Sequence, residues 1–556
     1  MASRMRRRVL LLALLVALTG LAGGEPRNSR DVRTDLFSTA IVCAPCHGNA
    51  DDSGALRDIR GRGIAPYDLW RGTMMANASR DPLFRAVLAV EAKDAAAEAR
   101  CLHCHAPMAS VEERAAGRPG LARAGLDAHA DEAAEDLAAL ARDSVSCTVC
   151  HQILPDGLGT PGSFNGGFRI GEDREIFGPH HDPWAMPMKR FTEYWATQGT
   201  QILGSALCAT CHTASDAKSG VFELASYLEW RNSDYRDEGG VRGPRPATCQ
   251  GCHVPVAGAG GGPTRTRIAR SPHMGDLDRL APREPVGRHI FVGGNTLVPA
   301  ILRDHAAELG VEAPAAAFDA TVALAREQLR ERTARVQIEE AVLGAESLHV
   351  AVRVDNLSGH KFPTGHSSRR AWLRLRVRDV NGRILFASGE CDATGRILGA
   401  DGKPLPSESA GAPLAPHRAT VSGAGEVQVY EAILARDGGL FALSGATATG
   451  FAKDNRLLPL GWNATHPDAA ATAPVGTGED ADFRAGGDVV SNEIPGTPEH
   501  ARFAVEVALL YQPLSARYTA ELFATDAPEV RLFRRMLEAA DRTPEIVAEA
   551  RLEVRE

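Results

Sequence analysis

The chain has 556 residues, which is long enough for two or more domains. Its formal net charge of −8 argues against nucleic acid as a partner and favours protein partners with basic or charge-matched patches. The composition is rich in Gly and Ala but not repetitive, which excludes a low-complexity chain.

The N-terminus carries the pattern of an export signal. Residues 1–8 read M-A-S-R-M-R-R-R, and the apolar run V-L-L-L-A-L-L-V-A-L follows. A basic start, about ten apolar residues and small residues near Ala22 predict a signal peptide over residues 1–24 and a periplasmic protein. The run is shorter than the ~20 residues of a membrane span, and no second run of that length follows, so we expect no span in the mature chain. An uncleaved signal that tethers the protein to the membrane is the alternative.

Five C-x-x-C-H strings lie between residues 43 and 253 and use ten of the eleven cysteines, leaving Cys391 over. C-x-x-C-H is the attachment string of c-type haem, in which the two thiols form thioethers with the porphyrin and the histidine binds the iron. The strings therefore predict five covalently bound c-type haems. The predicted thioether residues are Cys43, Cys46, Cys101, Cys104, Cys147, Cys150, Cys208, Cys211, Cys249 and Cys252, and the predicted proximal ligands are His47, His105, His151, His212 and His253.

Other cysteine chemistries do not fit this pattern. A four-thiolate zinc site takes C-x-x-C pairs two at a time, whereas five is an odd number and the histidine after each pair would have no role. Disulfide frameworks belong to short secreted domains, and a thioredoxin-like centre needs a single C-x-x-C in a βαβ setting. Export agrees with haem, because c-type haem is attached outside the bacterial cytoplasm.

The first 333 residues are predicted to be mainly helical and irregular. Asp81 before Pro82 is a good helix start, and the Ala-rich run through Arg100 predicts a helix that carries the second string. Gly and Pro residues over 152–207 predict a loop region without a sheet. Further helices are predicted over 127–142, which includes His129, over 227–233, and over 315–332 with Phe318, Val322 and Leu329 on one face.

From residue 334 the pattern changes to period two, which indicates strands. Asn381-Gly382 predicts a hairpin, further strands are predicted over 426–434 and 502–511, and one or two helices are predicted within 514–552. Lys453-Asp454-Asn455 is predicted to be a turn. The fold class is therefore α+β multidomain. The predicted units are a signal peptide (1–24), a pentahaem cytochrome c domain (25–300), a linking helix (301–333) and a β-sandwich-like domain with terminal helices (334–556).

The second axial ligand decides whether an iron is closed for electron transfer or open for a substrate. Met75 lies in a loop between the first two strings, where ligation and gap-filling packing are both open readings. His180 and His181 lie in a polar Gly-Pro-His-His-Asp-Pro turn, and His289 precedes two glycines that allow close approach to a flat group. His360 and His366 bracket a compact loop that could deliver a ligand from the β domain. His103, inside the second string, is predicted to be a solvent-facing spacer.

The chain resembles a family of exported multihaem c-type cytochromes, related to the tetrahaem cytochromes of ammonia oxidation, that carry a C-terminal β domain. The matching stretches span most of the chain, and the resemblance implies Met75, His289 and His360 as distal ligands. One departure is that Gln201, or its neighbour Thr200, stands where the family often has a histidine, so one iron is either open or closed by His180 or His181. The stretches include M-M-A-N-A-S-R-D-P-L-F, S-V-S-C-T-V-C-H-Q-I, Y-L-E-W-R-N-S, H-I-F-V-G-G-N, N-L-S-G-H-K-F-P-T-G-H-S-S-R-R-A-W-L and K-D-N-R-L-L-P-L-G-W.

These features predict periplasmic electron transfer, with other periplasmic or membrane redox proteins as partners. The alternative is an oxidoreductase that acts on a small nitrogen or sulfur compound at one open iron. No C-x-x-C-K string is present, which weighs against the chemistry of pentahaem nitrite reductases. We therefore expect an electron carrier rather than a catalyst and assign no catalytic residue. The sequence leaves the oligomeric state open.

The five strings make a direct prediction about the purified protein. When the chain is exported alongside the haem-attachment machinery, its mass should exceed that of the mature polypeptide by five haem groups, because each string forms two thioethers. Intact-protein mass spectrometry under denaturing conditions measures this. A mass without porphyrin would remove the basis of the haem assignment.

Overall fold

A computed structural model describes residues 30–127, 131–216, 218–257, 261–495 and 502–555. The predicted signal peptide (1–24) and His129 lie outside these ranges. No helix within them is long and apolar enough to cross a membrane. The fold is a mixture of helices and sheets, as the sequence predicts, with most helices before residue 333 and the large sheets after it. The exact domain boundaries stay predictions.

The first part of the chain is built from short helices. The predicted start at Asp81 is confirmed, because its carboxylate accepts hydrogen bonds from the N–H groups of Leu83 and Phe84. The predicted helices carrying the second string and at 227–233 and 315–332 are also confirmed. The helices are α1 Ala44–His47, α2 Pro66–Trp70, α3 Pro82–Glu91, α4 Ala95–His105, α5 Pro107–Ala115, α6 Glu132–Arg142, α7 Cys147–Cys150, α8 Ala185–Thr192, α9 Ser205–His212, α10 Ser226–Arg231, α11 Cys249–His253, α12 Leu297–Asp304 and α13 Ala315–Arg332.

The region 152–207 differs from the prediction of a loop without a sheet. It contains helix α8 and a two-stranded parallel sheet in which Glu175 pairs with Trp195 and Gly178 with Gln198. These strands have only four residues each, so the Gly- and Pro-rich sequence around them hides their short apolar pattern. The small strands of this part of the chain are β1 Glu175–Gly178, β2 Trp195–Gln198, β3 Ala214–Ser215, β4 Phe222–Leu224, β5 Asp237–Glu238 and β6 Val241–Arg242.

Two large sheets form the second part of the chain. One sheet has the order β13-β12-β9-β16-β17, with β10 paired to β9 and β14 to β12, and the other has the order β11-β15-β8-β7. The predicted hairpin at Asn381-Gly382 is confirmed as the connection between β9 and β10. The strands are β7 Ala334–Leu343, β8 Ser347–Asn356, β9 Arg370–Asp379, β10 Ile384–Ser388, β11 Thr420–Val421, β12 Val429–Arg436, β13 Leu440–Phe441, β14 Gly450–Asp454, β15 Gly487–Pro495, β16 Arg502–Gln512 and β17 Glu545–Arg555, and the helices are α14 Ala469–Thr472, α15 Ala516–Leu522 and α16 Pro528–Ala539.

The inner faces of the two sheets share one apolar core, which makes the predicted sandwich. Alternate residues of β8, from Leu348 to Val354, are fully buried and meet Leu375 of β9 and Val507 of β16. This alternation follows from the period of two along a strand, which places every second side chain on the same face. The period-two pattern in the sequence was therefore sufficient to predict which side chains point inwards.

The C-terminus departs from the predicted helical ending. Helices α15 and α16 lie within 514–552 as expected, but β17 follows them and pairs antiparallel with β16 from Tyr511–Glu545 to Arg502–Arg555. Seven of the eleven residues of β17 are Glu, Ala or Arg, which favour helices by themselves. Pairing with a long, buried neighbouring strand outweighs that local preference.

The segment Lys453-Asp454-Asn455 is not the predicted turn. It ends strand β14 and is buried, with Lys453 Nζ 3.0 Å from Glu431 Oε1 and Asp454 Oδ2 2.7 Å from Lys361 Nζ. Burial of charged side chains is stable only when each has a partner, and those partners come from distant segments. Local sequence therefore indicates a solvated turn where the fold forms buried ion pairs.

Strand β9 offers a matched test of buried and exposed ion pairs. Arg370 makes a bidentate pair with Glu408 in which both side chains are at most 3% exposed, whereas Arg376 and Glu390 are a quarter to a third exposed. Arg370→Met should lower the free energy of unfolding by about 3–5 kcal/mol, because it leaves a buried carboxylate unpaired. Arg376→Met should cost about 0–1 kcal/mol. Urea unfolding followed by circular dichroism measures both, and equal losses would contradict the role of burial.

Candidate functional site

Each C-x-x-C-H string lies on one helical turn. The strings occupy α1, the end of α4, α7, the end of α9 and α11, with Cys43 and His151 as flanking cap residues. Residues i, i+3 and i+4 share one face of a helix. The two thiols and the imidazole of each string therefore point in the same direction, as attachment to one flat group requires.

All five faces open into one cavity. Its volume is about 2120 Å³, its wall is mostly apolar, and it is lined by all ten string cysteines and all five string histidines. No disulfide consumes these thiols, since every cysteine of the chain is free. An apolar cavity of this size, with five pairs of thiols and five imidazoles in its wall, fits a set of porphyrins.

The strings are neighbours in an order that differs from their order in the sequence. The fourth string (208–212) lies beside the second, third and fifth strings, and the first lies beside the third. This arrangement is seen in the contacts between thiols: Cys43 contacts Cys147, Cys104 contacts Cys211, and Cys208 contacts Cys249. Cys150 lies close enough to Cys211 for their charges to interact.

Hydrogen bonds fix the tautomer of the string histidines. A backbone carbonyl only accepts, so an Nδ1 that bonds to one carries the proton and leaves a lone pair on Nε2 for a metal. Four of the five string histidines, His47, His105, His151 and His253, bond through Nδ1 to the carbonyls of Ile268 (3.0 Å), Ala78 (3.3 Å), Phe177 (2.7 Å) and Val292 (2.7 Å). His212 presents its side chain to the cavity.

Two of the predicted distal histidines face a string histidine. The rings of His151 and His289 are 6.2 Å apart between centroids, and those of His253 and His360 are 6.5 Å apart at an interplanar angle of 13°. An imidazole nitrogen binds a metal at about 2 Å, so two imidazoles on opposite sides of one ion have centroids about 6 Å apart. Both pairs have the separation that one iron between them requires.

The two facing histidines also have the ligand tautomer. His289 Nδ1 lies 3.2 Å from the carbonyl of Gly287, and His360 Nδ1 lies 3.1 Å from that of Lys361. Burial, with a smaller effect of the neighbouring imidazole, lowers the pKa of His289 to about 4. The unprotonated form that a metal needs is therefore the form that the protein favours at neutral pH.

The other predicted ligands line the same cavity without such a partner. Met75 lies in the turn region before α3, His180 is half-buried after β1, and His181 is exposed. Among the ring contacts of the described residues, neither His180 nor His181 faces a string histidine. Gln201 donates from Nε2 to the carbonyl of Ile153 at 3.2 Å.

His366 lies in the same loop as His360 but has the opposite tautomer. Its Nδ1 accepts the N–H of Ser368 at 3.2 Å, so the proton lies on Nε2, which is 3.4 Å from Glu223. A protonated Nε2 has no lone pair for a metal. The sequence of the loop does not distinguish His360 from His366. Their hydrogen bonds do, because they leave His360 a free Nε2 and give His366 a protonated one.

His103 is not the predicted solvent-facing spacer. It is 5% exposed, its Nε2 bonds to the carbonyl of Gly166 at 2.9 Å, and its ring stacks on Phe168. Gly166 has a φ of +79°, and a Cβ there would lie 2.4 Å from the His103 ring, so glycine is required at this contact. The Asn-Gly-Gly sequence at 165–167 was the only signal of this close approach.

A second cluster, in the β domain, does not fit a metal. The possible ligand atoms of His417, Asp480 and Asp488 lie within 4.8 Å of one another. Among the described residues, this group has the spacing of a metal site. His417 Nδ1 accepts hydrogen bonds from the amides of Gln428 (2.8 Å) and Asn455 (3.0 Å), whose oxygens are occupied by backbone donors. The proton is therefore on Nε2, which donates to Asp480 at 2.8 Å and cannot bind a metal.

No protein-family model matches the sequence, and no curated protein matches it. Among solved structures, the penta-heme cytochrome c552 from Thermochromatium tepidum is similar, with a TM-score of 0.50 and 18% sequence identity. The alignment covers 94% of this chain and 99% of that one. At this identity the likeness concerns the fold, and the chain shares the fold of a multihaem cytochrome.

The buried His103 predicts a pH-dependent loss of stability. Burial, helped by the charge of Arg114, lowers the pKa of His103 from 6.5 to about 4. A base with a depressed pKa stabilises the fold above pH 6.5 and loses that contribution as the pH falls towards 4, which amounts to about 3 kcal/mol. His103→Asn should be less stable than the wild type at pH 7, with a gap that narrows towards pH 4.

Urea unfolding at several pH values measures the gap in the unfolding free energy for His103→Asn. The same substitution at His349, whose side chain is 33% exposed on β8, is the matched control. A gap for His103→Asn that stays constant from pH 7 to pH 4 would contradict the assignment.

Proposed function

We propose that this protein is a multihaem electron carrier of the periplasm that binds five c-type haems. The single observation that carries the proposal is the shared cavity, whose wall contains every cysteine and histidine of the five strings. Haem bound there supplies iron that cycles between the ferric and ferrous states. The polypeptide contributes attachment, axial ligands and the exclusion of water.

In this proposal the ten string cysteines form the thioethers and the five string histidines are the proximal ligands. His289 is the distal ligand at the third string and His360 at the fifth, since each faces the proximal imidazole at the required separation. Two imidazole ligands close an iron to substrates and suit electron transfer. Met75, His180 and His181 remain proposed distal ligands for the other strings.

The neighbour relations of the strings support a branched relay. The order first–third–fourth–fifth follows from the thiol contacts, and the second string joins at the fourth. In this order the fourth string is the junction of the relay, because it lies beside the second, third and fifth strings. Periplasmic or membrane redox proteins are the proposed donor and acceptor.

A second candidate function is oxidation or reduction of a small nitrogen or sulfur compound at an open iron. The observation in its favour is Gln201, whose side chain is bound to the backbone of Ile153 at the position where the resemblance implies a histidine ligand. A permanently open iron distinguishes this candidate from the carrier, because it is high-spin in the ferric state.

Electron paramagnetic resonance of the oxidised holoprotein tests both functions and the ligand assignment. The carrier predicts that all iron of the wild type is low-spin, whereas a high-spin ferric signal in the wild type would support the second candidate. His289→Ala and His360→Ala should each convert one of the five irons to high spin, because each removes one axial nitrogen.

His349→Ala is the matched control, since His349 lies on β8 and pairs with Glu493 at 2.7 Å, away from the cavity. It should leave all iron low-spin. Unchanged spectra in His289→Ala or His360→Ala would overturn the ligand assigned at that string. Coulometric titration adds a count, because a carrier with five haems takes up five electrons per molecule.

A further inference from the structure

A buried network of four charged side chains lies directly behind His360. Its members are Glu229 of α10, Lys361, Asp454 at the end of β14, and Arg456, and each is at most 4% exposed. Two cations face two carboxylates, so the network as a whole is neutral. Glu229 comes from the haem-string half of the chain and the other three from the β domain.

The contacts link every member to the next. Lys361 Nζ lies 2.7 Å from Asp454 Oδ2, and Arg456 reaches the same carboxylate with Nε at 2.7 Å and Nη2 at 2.8 Å. Glu229 Oε2 accepts the backbone N–H of Lys361 at 3.0 Å, and its Oε1 forms an ion pair with Arg456 at 3.2 Å. The residue next to His360 is thus held through both its backbone and its side chain.

The remaining backbone of the His360 loop is also held. Asn356 Nδ2 and Ser358 Oγ both donate to the carbonyl of His360, at 2.9 Å each. Phe362 exchanges two backbone hydrogen bonds with Leu457, at 3.0 and 2.8 Å. These bonds lie within the β domain, whereas the Glu229 contacts connect the loop to the other half of the molecule.

Helix α10 touches both sides of the His253–His360 pair. Next to Glu229, Trp230 donates from Nε1 to the carbonyl of Ala247 at 2.8 Å, two residues before the fifth string begins at Cys249. Trp230 also packs against Gly359, where a Cβ would lie 3.2 Å from its ring. One short helix therefore contacts the segment that carries His253 and the loop that carries His360.

We propose that Glu229 is the positioning residue that holds His360 at ligand distance from the fifth iron, by tying the β-domain loop to helix α10. This inference rests on the proposed function, because it takes His253 and His360 as the two ligands of one haem. Without the Glu229 carboxylate, the Lys361 N–H loses its acceptor and Arg456 loses one of its two anions. The loop then keeps its bonds within the β domain, the hydrogen bond from Tyr235 Oη to the Leu357 carbonyl (2.7 Å) and the packing of Gly359 on Trp230, but the residue next to His360 loses its hydrogen bond to helix α10.

The test compares Glu229→Ala with a matched control in the holoprotein. Glu408→Ala also removes a buried carboxylate paired with an arginine, Arg370, but Glu408 makes no hydrogen bond or ion pair to the His360 loop or α10 among the described contacts. Glu229→Ala should convert up to one fifth of the low-spin ferric signal to high spin, whereas Glu408→Ala should convert none even where it lowers the unfolding midpoint. A general loss of stability would affect the two variants alike.

If the alanine variant does not fold, Glu229→Gln replaces it in the test. The glutamine variant is the milder change, because its amide oxygen still accepts the Lys361 N–H and only the charge is lost. It should show the same high-spin signal at lower intensity. Fully low-spin spectra in each folded Glu229 variant would overturn the positioning role. If His360→Ala converts one fifth of the iron in that case, the proposed function stands and only the inference about Glu229 fails.

Discussion

An imidazole binds iron only through a nitrogen that carries no proton, and this condition governs the cavity of the protein. Backbone carbonyls accept a hydrogen bond from the protonated Nδ1 of most string histidines and of His289 and His360. The unprotonated Nε2 of each is then free to bind a metal. His366 and His417 receive N–H donors on Nδ1, which places their proton on Nε2. Small differences in loop backbone, rather than the presence of a histidine, therefore select the residues that can hold a metal.

The two halves of the chain depend on each other through the same requirement. The β-sandwich has a single core between its sheets, and the loop between β8 and β9 extends from it into the cavity. The ion pairs among Lys361, Asp454 and Arg456 fix that loop from the β domain, and Glu229 fixes it from the other half. Under the proposed function, the physical role of the β domain is to hold a distal ligand.

The mistaken predictions have a common physical cause. His103 is predicted to be a solvent-facing spacer and Lys453 to lie in a turn, yet each is buried with partners far away in the sequence. The chain is predicted to end in one or two helices within 514–552, yet strand β17 follows those helices and completes a sheet. In each case a long-range contact supplies free energy that a local pattern does not contain.

The sequence by itself predicts the attachment chemistry and determined the character of the two halves. A C-x-x-C-H string contains all of its reactive groups within five residues, and strand periodicity is equally local. Only the tertiary structure decided which histidine faces which string. His289 is nearer in sequence to the fifth string but faces His151 of the third, and His360 reaches His253 from another domain. Such pairings depend on how distant segments pack, and the spacing of residues along the chain does not predict that packing.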